Sequence, residues 1–210
     1  MESADWAAVK GVEPAAGRLL VATPLLTDAH FRRTVVYLLE HDGGGTVGVI
    51  LNRPSHTPVG QVLPDWHDAV SGPAVVFGGG PVQPDGALCL GLLDRDTDAD
   101  DPALIEERPD GQHDADGRHE VVDGVSTVDL DGDVTVIAPL ARSLRVFAGH
   151  AGWSPGQLEH ELDEGAWWVL PGGPDDLFSE QPRRMWAHVL RRQPPPLSLV
   201  STFPPDVSVN

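Results

Sequence analysis

Glycine and proline are spread along the whole chain, and they limit how long any helix or strand can be. The sequence of 210 residues contains 23 glycines and 20 prolines, more than average usage would give. Because both residues interrupt regular structure, the chain is predicted to form many short elements joined by turns, and not a helical bundle. Hydrophobic residues make up 40% of the chain. A chain of this size and composition can bury one ordinary core, which predicts a single domain.

Two apolar runs, at residues 34–39 and 46–51, flank a glycine-rich turn that begins at Asp42. Short β-branched and aromatic runs joined in this way are typical of a β-hairpin. Both faces of the runs are apolar, so the hairpin is predicted to lie inside a sheet. Further strands are predicted at residues 18–22, 74–77, 87–93, 144–149 and 166–170. Strands and helices do not alternate regularly, which favours an α+β fold with a mixed or antiparallel sheet.

A helix is predicted after Trp153, with the clearest boundaries in the sequence. Ser154 suits the N-cap, Pro155 the first helical position, and Gln157 the position that closes a capping box. Gly165 suits the left-handed residue that ends many helices. Local helix chemistry therefore accounts for most of this block.

The domain organisation predicted from composition has three parts. Residues 1–16 form a flexible leader, residues 17–193 one domain that ends in a helix, and residues 194–210 a Pro- and Ser-rich, extended tail. Within the domain, residues 94–133 contain fifteen acidic and three basic residues, a net charge of −12 out of −18 for the whole chain. That stretch has little apolar surface to bury, so it is predicted to be an acidic, loop-rich insertion whose last part returns as a strand.

The net charge of −18 argues against direct DNA binding, because proteins bind nucleic acid chiefly by neutralising phosphates with lysine and arginine. Arginine pairs occur at 32–33, 183–184 and 191–192, but each pair by itself is short. No apolar run approaches the roughly 18 residues of a membrane helix, and residues 1–10 lack the apolar stretch of a signal peptide. No membrane association is predicted, and a cytoplasmic location is expected.

Metal and cofactor motifs are missing from the sequence. The single cysteine, Cys89, cannot form an intramolecular disulfide and has no Cys/His zinc spacing around it. The glycine runs at 43–45 and 78–80 lack the Lys-Ser/Thr pair and the helix of a phosphate-binding loop. The nine histidines are scattered. The sequence therefore predicts no cofactor and no metal site.

Several sequence blocks occur together in a specific order and spacing. They are ATPLLTDAHFRRTVVYLLEHD at residues 22–42, GVILNRP at 48–54, VFGGGPV at 76–82 and GHAGWSPGQLEHEL at 149–162. Together they resemble the YqgE/AlgH family of bacterial proteins. The resemblance implies a compact α+β fold in which a bifurcated sheet curls into a pseudo-barrel, with a few helices packed outside. It also implies a family without an established molecular activity, for which the label transcriptional regulator is in use.

Five residues in these blocks are candidates for binding a ligand: His41, Asn52, Arg53, His150 and Trp153. His41 lies beside a carboxylate and could serve as a general base, although a turn pair explains it as well. Arg53, next to Asn52 at a strand end, could grip a carboxylate or phosphate. His150 and Trp153 precede a helix start, where free N–H groups attract anions. Helix-start chemistry alone also explains Trp153.

Three hypotheses about function follow. The first is a non-enzymatic binding or regulatory protein whose partner is an unknown protein or a small anionic ligand. The second is a hydrolase-like enzyme with a site near His41, Asn52, Arg53 and His150, which requires these residues to converge in the fold. The third is a DNA-binding regulator, for which the chain has neither a helix-turn-helix pattern nor a suitable charge. The absence of a complete catalytic set favours the first.

Overall fold

A computed structural model describes residues 11–93, 118–122 and 124–203. The strands are β1 (Arg18–Ala22), β2 (Val35–Asp42), β3 (Gly45–Ile50), β4 (Pro54–Pro58), β5 (Val75–Gly78), β6 (Val82–Leu93), β7 (Arg118–Val122), β8 (Val125–Val128), β9 (Ala141–Trp153) and β10 (Trp167–Pro171). The helices are α1 (Val59–Val62), α2 (Val134–Ile137), α3 (Gln157–Asp163), α4 (Pro174–Leu177), α5 (Met185–Arg191) and α6 (Leu197–Val200). Single 3-10 turns cover Pro64–Trp66, Ala138–Leu140 and Pro182–Arg184.

The ten strands form one mixed sheet, which confirms the predicted α+β class. Its main path runs β10-β1-β2-β3-β9-β6-β8-β7, and β4 joins it through β5. The pairing of β5 with β9 is parallel, whereas the other pairs among the described strands are antiparallel. The path is not closed into a barrel by a ladder between its ends. The sheet is nevertheless curled, since a Cβ added to Gly17, just before β1, would collide with Val122 of β7.

Strand β9 is the branch point of the sheet. Its last residues pair with β3, where Ala151 lies opposite Gly48. Its earlier residues pair with β6 on one side and with β5 on the other, where Phe147 lies opposite Phe77. The long strand therefore belongs to both halves of a bifurcated sheet, as the family resemblance implies.

The predicted hairpin is confirmed as β2 and β3, paired antiparallel. Strand β2 lies between β1 and β3, so both of its edges are paired. Val35 and Tyr37 pack into one hydrophobic cluster, while Val36 and Leu38 pack into another on the opposite face. This two-sided burial explains why the sequence of the hairpin is apolar without alternation.

Three hydrophobic clusters make up the core. The largest lies on one face of the sheet under α5 and α6, and includes Phe77 and Trp186. The opposite face is divided between two smaller clusters. One lies under α3 around Trp153, and the other lies between β6, β8 and β9 and the segment around Trp66.

The segment after α5 differs from its prediction. The sequence suggests an extended tail from residue 194, but α6 forms there, and Leu197 and Val200 are buried in the largest cluster. The proline run separates two helices, and Pro196 is the N-cap of α6, where its missing N–H would have no partner within the helix. Residues 204–210 lie outside the described residues, as do residues 1–10 of the predicted leader.

The acidic stretch at residues 94–133 is described only in part. Residues 94–117, the part predicted to be loop-rich, lie outside the described residues. The strand expected at its end is present as β8, which pairs with β6, and β7 pairs with β8 in turn. Asp133 caps α2 by accepting a hydrogen bond from the backbone N–H of Thr135.

The start of α3 corrects the predicted helix boundary. Ser154 is not the N-cap, because the helix begins at Gln157 and is preceded by Gly156 in a left-handed conformation. One half of the capping box forms, in which the Ser154 N–H donates to the Gln157 side chain at 3.0 Å. The end of the helix is as predicted. Gly165 has a positive φ and its N–H donates to the Leu162 carbonyl, as in a Schellman motif.

The single cysteine, Cys89, is buried in the third cluster, and burial raises the pKa of its thiol to about 12. Within the described ranges, no group of three or more His, Cys, Asp or Glu side chains is placed to hold a metal ion. The helices in the same ranges are all too short or too polar to cross a membrane.

Candidate functional site

The predicted site residue His41 lies at the end of β2 in a row that crosses three strands. His41 pairs with Thr46 of β3, and Thr46 pairs with Trp153 of β9. The His41 Nδ1 atom lies 2.8 Å from the Thr46 hydroxyl, and its Nε2 atom lies 3.7 Å from the Glu159 carboxylate of α3. The structure therefore brings together two predicted residues, His41 and Trp153, beneath α3.

A hydroxyl, an imidazole and a carboxylate that contact one another in this order are the elements of a hydrolytic triad. Here, however, the hydroxyl belongs to Thr46, which is 3% exposed. A nucleophile must reach its substrate, but the Thr46 hydroxyl lies between its row neighbours His41 and Trp153. The contact between Thr46 and His41 is therefore best explained as a hydrogen bond that satisfies a buried polar group.

Glu161 of α3 organises the aromatic side chains beside this row. Its Oε2 atom accepts hydrogen bonds from the indole N–H groups of Trp153 at 2.9 Å and Trp167 at 2.7 Å. Its Oε1 atom accepts from Gln157 at 2.9 Å. Phe31 packs against both indoles, with ring centroids 5.8 and 5.6 Å away. Trp153 is therefore a framework residue that is 5% exposed.

The electrostatics beneath α3 disfavour the anion pocket expected near Trp153. The Glu159 carboxylate lies 3.7 Å from His41, and the Glu161 carboxylate accepts a hydrogen bond from Trp153, so each contacts a residue of the row. An anionic ligand would have to approach two negative charges there. The start of α3 therefore does not provide a favourable environment for an anion.

His150 lies where two backbones approach each other closely. A Cβ added to Gly79 would overlap the carbonyl oxygen of Gly149, and one added to Gly80 would overlap the carbonyl group of His150. Gly149 itself has a φ of +68°, a conformation that favours glycine. Close packing thus explains these glycines, and it also explains why the run at residues 78–80 is not a phosphate loop.

Asn52 is buried at the end of the hairpin opposite its turn, where its side chain links two backbone segments through hydrogen bonds. Its Oδ1 atom accepts from the Val35 N–H at 3.0 Å, and its amide donates to the Arg33 carbonyl at 2.8 Å. Val35 and His41 are six positions apart on β2, which corresponds to about 20 Å along the strand. Asn52 and Arg53 therefore do not converge with His41, as the hydrolase hypothesis requires.

Arg53 lies at the edge of a basic surface. Its guanidinium donates to the Arg32 carbonyl at 2.7 Å, and partial burial together with the charge of Arg32 lowers its pKa. The guanidinium of Arg33 stacks on Trp186 of α5 at 3.9 Å. Arg183 and Arg184, in the turn that leads into α5, are exposed. We call these five arginines (32, 33, 53, 183 and 184) the arginine face.

A cleft of about 490 Å³ opens beside the arginine face. Its lining includes Pro54, Pro73, Val75, Pro182, Arg183 and Arg184, and we call it the arginine cleft. In the described part of the chain, no carboxylate lies within ion-pair distance of Arg53, Arg183 or Arg184. One acidic residue, Glu180, also lines the cleft. Its volume falls in the range of about 300–1,000 Å³ that is usual for ligand sites.

Arg145 connects the two walls of the arginine cleft through hydrogen bonds. Its side chain is 1% exposed, and it donates to the carbonyls of Gly72 at 2.9 Å and Ser179 at 3.1 Å. Those residues lead into the two walls, at Pro73 and Glu180. A third bond reaches the Leu177 carbonyl at 2.6 Å. Burial lowers the pKa of this guanidinium to about 10.

A second cleft, of about 450 Å³, lies on the other side of the segment formed by Glu180 and Gln181, which line both clefts. The second cleft is lined by Leu92, Pro174, Phe178, Asp175, Glu180 and His188 among others. We call it the carboxylate cleft, because Asp175 and Glu180 are acidic and both are exposed.

Among the residues expected from the sequence to bind a ligand, Arg53 lies next to a cleft, because it directly precedes the lining residue Pro54. Arg145 could not be recognised from the sequence, because an arginine inside an apolar strand resembles a surface residue of an edge strand. The arginine pairs 32–33 and 183–184 are far apart in the sequence, and no local signal shows that they meet. The signal that could have found the cleft is the occurrence of arginine pairs in a chain whose net charge is −18.

The comparisons with known proteins agree with this architecture. The family model described as AlgH-like, DUF179, matches residues 19–198. The chain belongs to the AlgH-like family. A UPF0301 protein of Streptomyces coelicolor is 46% identical over 194 residues, covering 92% of this chain and 94% of the relative. A UPF0301 protein of Thermobifida fusca is 47% identical over 197 residues, with the same coverage of 92% and 94%.

Two solved structures have the AlgH-like fold of this chain. A crystal structure from Corynebacterium diphtheriae aligns with a TM-score of 0.81 at 34% identity, covering 94% of this chain and 97% of the other. The solution structure of AlgH from Pseudomonas aeruginosa aligns with a TM-score of 0.61 at 27% identity, covering 93% and 98%. The residues of this AlgH-like chain that match the family model include the arginine face and both clefts.

Proposed function

We propose that this AlgH-like protein is a non-enzymatic, cytoplasmic binding protein with a regulatory role, and that it takes an anionic ligand or partner at the arginine cleft. The observation that carries this proposal is that Arg183 and Arg184 line a cleft, and Arg53 directly precedes its lining residue Pro54. Among the described residues no carboxylate lies within ion-pair distance of these three arginines, in a chain of net charge −18. Guanidinium groups that form no ion pair with a described carboxylate attract an external anion, and Glu180 is the one acidic residue in the described lining of this cleft.

The polar residues of the hydrolase hypothesis have other tasks, which supports a role without catalysis. Asn52 holds the turn before β2, and His41 is bonded to a buried threonine. Neither lines the arginine cleft or the carboxylate cleft. The hydrolase alternative retains the contact of His41 with Glu159 as its motive. It would replace the binding proposal if purified protein hydrolysed esters, phosphates or amides and lost that activity on both His41→Ala and His150→Ala.

The binding proposal is tested by titrating the protein with inorganic triphosphate and with a labelled hexaglutamate peptide at low ionic strength. Calorimetry and fluorescence anisotropy measure the two affinities. The double variant Arg183→Gln/Arg184→Gln is expected to weaken binding about tenfold or more, which corresponds to roughly 1.4 kcal/mol. The control is Arg191→Gln on the exposed end of α5, which removes the same kind of charge away from the cleft. Equal affinities for the cleft variant and the control would exclude the arginine cleft as the site.

A further inference from the structure

The arginine cleft and the carboxylate cleft lie side by side, and their charges are opposite. Both clefts are lined by Glu180 and Gln181, so only this short segment separates them. Arg183 and Arg184 border one cleft, whereas Asp175 borders the other. A ligand that crosses the segment therefore passes from a positive environment to a negative one.

Each cleft also offers apolar surface next to its charges. Pro54, Pro73 and Pro182 line the arginine cleft, while Leu92 and Phe178 line the carboxylate cleft. Proline side chains are already fixed in the free protein, so contact with them costs little conformational entropy. This combination suits the side chains of a peptide better than it suits a free ion, which gains nothing from apolar walls.

The walls of both clefts are held in place before any ligand arrives. Arg145 bonds the carbonyls of Gly72, Leu177 and Ser179, and the segment between the clefts follows directly at Glu180. Phe178, which lines the carboxylate cleft, packs 6.0 Å from the same guanidinium. One buried cation thus fixes the base of both clefts, and a preorganised surface of this kind favours binding.

We propose that the two clefts together bind an extended peptide segment of a partner protein that carries acidic residues followed or preceded by basic ones. The acidic residues bind in the arginine cleft, and the basic residues bind in the carboxylate cleft across the segment of Glu180 and Gln181. This inference rests on the proposed function and adds the class of partner. A second copy of the chain is a poor occupant, because two molecules of net charge −18 repel each other. Nucleic acid matches the arginine cleft and is repelled at the carboxylate cleft.

The test uses labelled hexapeptides in fluorescence anisotropy with the full-length protein at low salt. The mixed peptide has two glutamates, two alanines and two lysines, and is used in both orders. Hexaglutamate serves as the reference. We expect one order of the mixed peptide to bind about tenfold tighter than hexaglutamate, since a second matched charge contributes roughly 1.4 kcal/mol.

The matched variants are Asp175→Asn in the carboxylate cleft and Asp163→Asn on the exposed end of α3, which change the net charge equally. Asp175→Asn is expected to weaken binding of the mixed peptide at least fivefold relative to Asp163→Asn, and to leave the affinity for hexaglutamate unchanged. Glu180→Gln is expected to strengthen the binding of hexaglutamate, because it removes the one carboxylate in the described lining of the arginine cleft. Circular dichroism and thermal melts confirm that each variant is folded.

The outcomes separate the two proposals. One outcome is that Arg183→Gln/Arg184→Gln weakens the binding of hexaglutamate, while Asp175→Asn binds both mixed peptides with the same affinity as its control. In that case the paired-cleft inference is wrong and the anion-binding function remains. If the arginine variant changes no affinity, both are wrong. Two further results would overturn the inference: a DNA oligonucleotide that binds tighter than either mixed peptide in an Arg183-dependent manner, or a dimer in sedimentation velocity that the arginine variant abolishes.

Discussion

Replacing Arg145 with methionine tests whether a buried cation stabilises this fold. Arg145 is 1% exposed and donates three hydrogen bonds to carbonyl oxygens at 2.6, 2.9 and 3.1 Å. Its guanidinium also stacks over Phe77 at 4.4 Å. Methionine keeps most of the aliphatic stem and removes the donors. The carbonyls of Gly72, Leu177 and Ser179 then lose their partner.

The expected magnitude is the difference between two opposing contributions. Each hydrogen bond to a charged group contributes about 1.5–3 kcal/mol. Burial opposes this, because it lowers the pKa of the guanidinium from 12.5 to about 10, which corresponds to about 3 kcal/mol of desolvation. The balance predicts that Arg145→Met lowers the free energy of unfolding by about 2–5 kcal/mol, and lowers Tm by roughly 5–15 °C for a chain of this size.

The measurement is urea unfolding followed by tryptophan fluorescence, with Arg191→Met as the control. Arg191 is exposed on α5, so its replacement should change stability by less than about 0.5 kcal/mol. The difference between wild type and Arg145→Met should be constant from pH 5 to pH 9, because a guanidinium with a pKa of about 10 is charged throughout that range. A variant as stable as wild type, with an unchanged m-value, would refute the argument, since desolvation would then outweigh the three bonds.

Three further predictions concern the framework. Glu161→Leu leaves two indole N–H groups without an acceptor and should lower the free energy of unfolding by about 2–5 kcal/mol. Glu161→Gln keeps one oxygen and should lower it by about 1 kcal/mol. Urea unfolding compares the two variants, and equal losses of stability would contradict the role of Glu161 as the shared acceptor. Asn52→Ala should cost about 1–3 kcal/mol and speed hydrogen exchange of the Val35 amide, and an unchanged exchange rate would show that the 3.0 Å bond is not formed. Cys89 should not react with Ellman's reagent at pH 8 in the folded protein, because burial raises its pKa from 9.0 to about 12. The stability linked to that raised pKa is fully present below pH 9 and is lost as pH rises from 9 towards 12, so wild type should lose stability relative to Cys89→Ala in that window.

The regular elements of the sheet could be predicted because their signals are local. The hairpin of β2 and β3 follows from two apolar runs and a glycine-rich turn, and the end of α3 follows from Gly165. The start of α3 lies two residues later than its prediction, since Ser154 and Pro155 have the right chemistry for a cap but the chain makes an additional turn at Gly156. Local propensity identifies a helix more reliably than it fixes its first residue.

The roles of the candidate site residues could not be predicted to the same extent. A sequence shows that His41 and Trp153 are polar or amphipathic residues near turns, but not that Thr46 and Glu161 lie across the sheet to bond them. Asn52 has the chemistry of a ligand-binding residue, and it serves as a strut because Arg33 and Val35 come within reach when β2 pairs with β3. Hydrogen-bond partners depend on pairing between strands, which sequence proximity does not reveal.

By itself, the sequence determined the α+β class, the family, the short elements and the strongly negative charge, because composition, spacing and local turn chemistry carry that information. The tertiary structure alone decided where the few positive charges meet. Arg53 follows a strand, while Arg183 and Arg184 precede a helix about 130 residues later. They border one cleft because α5 packs on the sheet and Arg145 holds the connecting segments together. Such contacts between distant segments arise from the packing of the whole core.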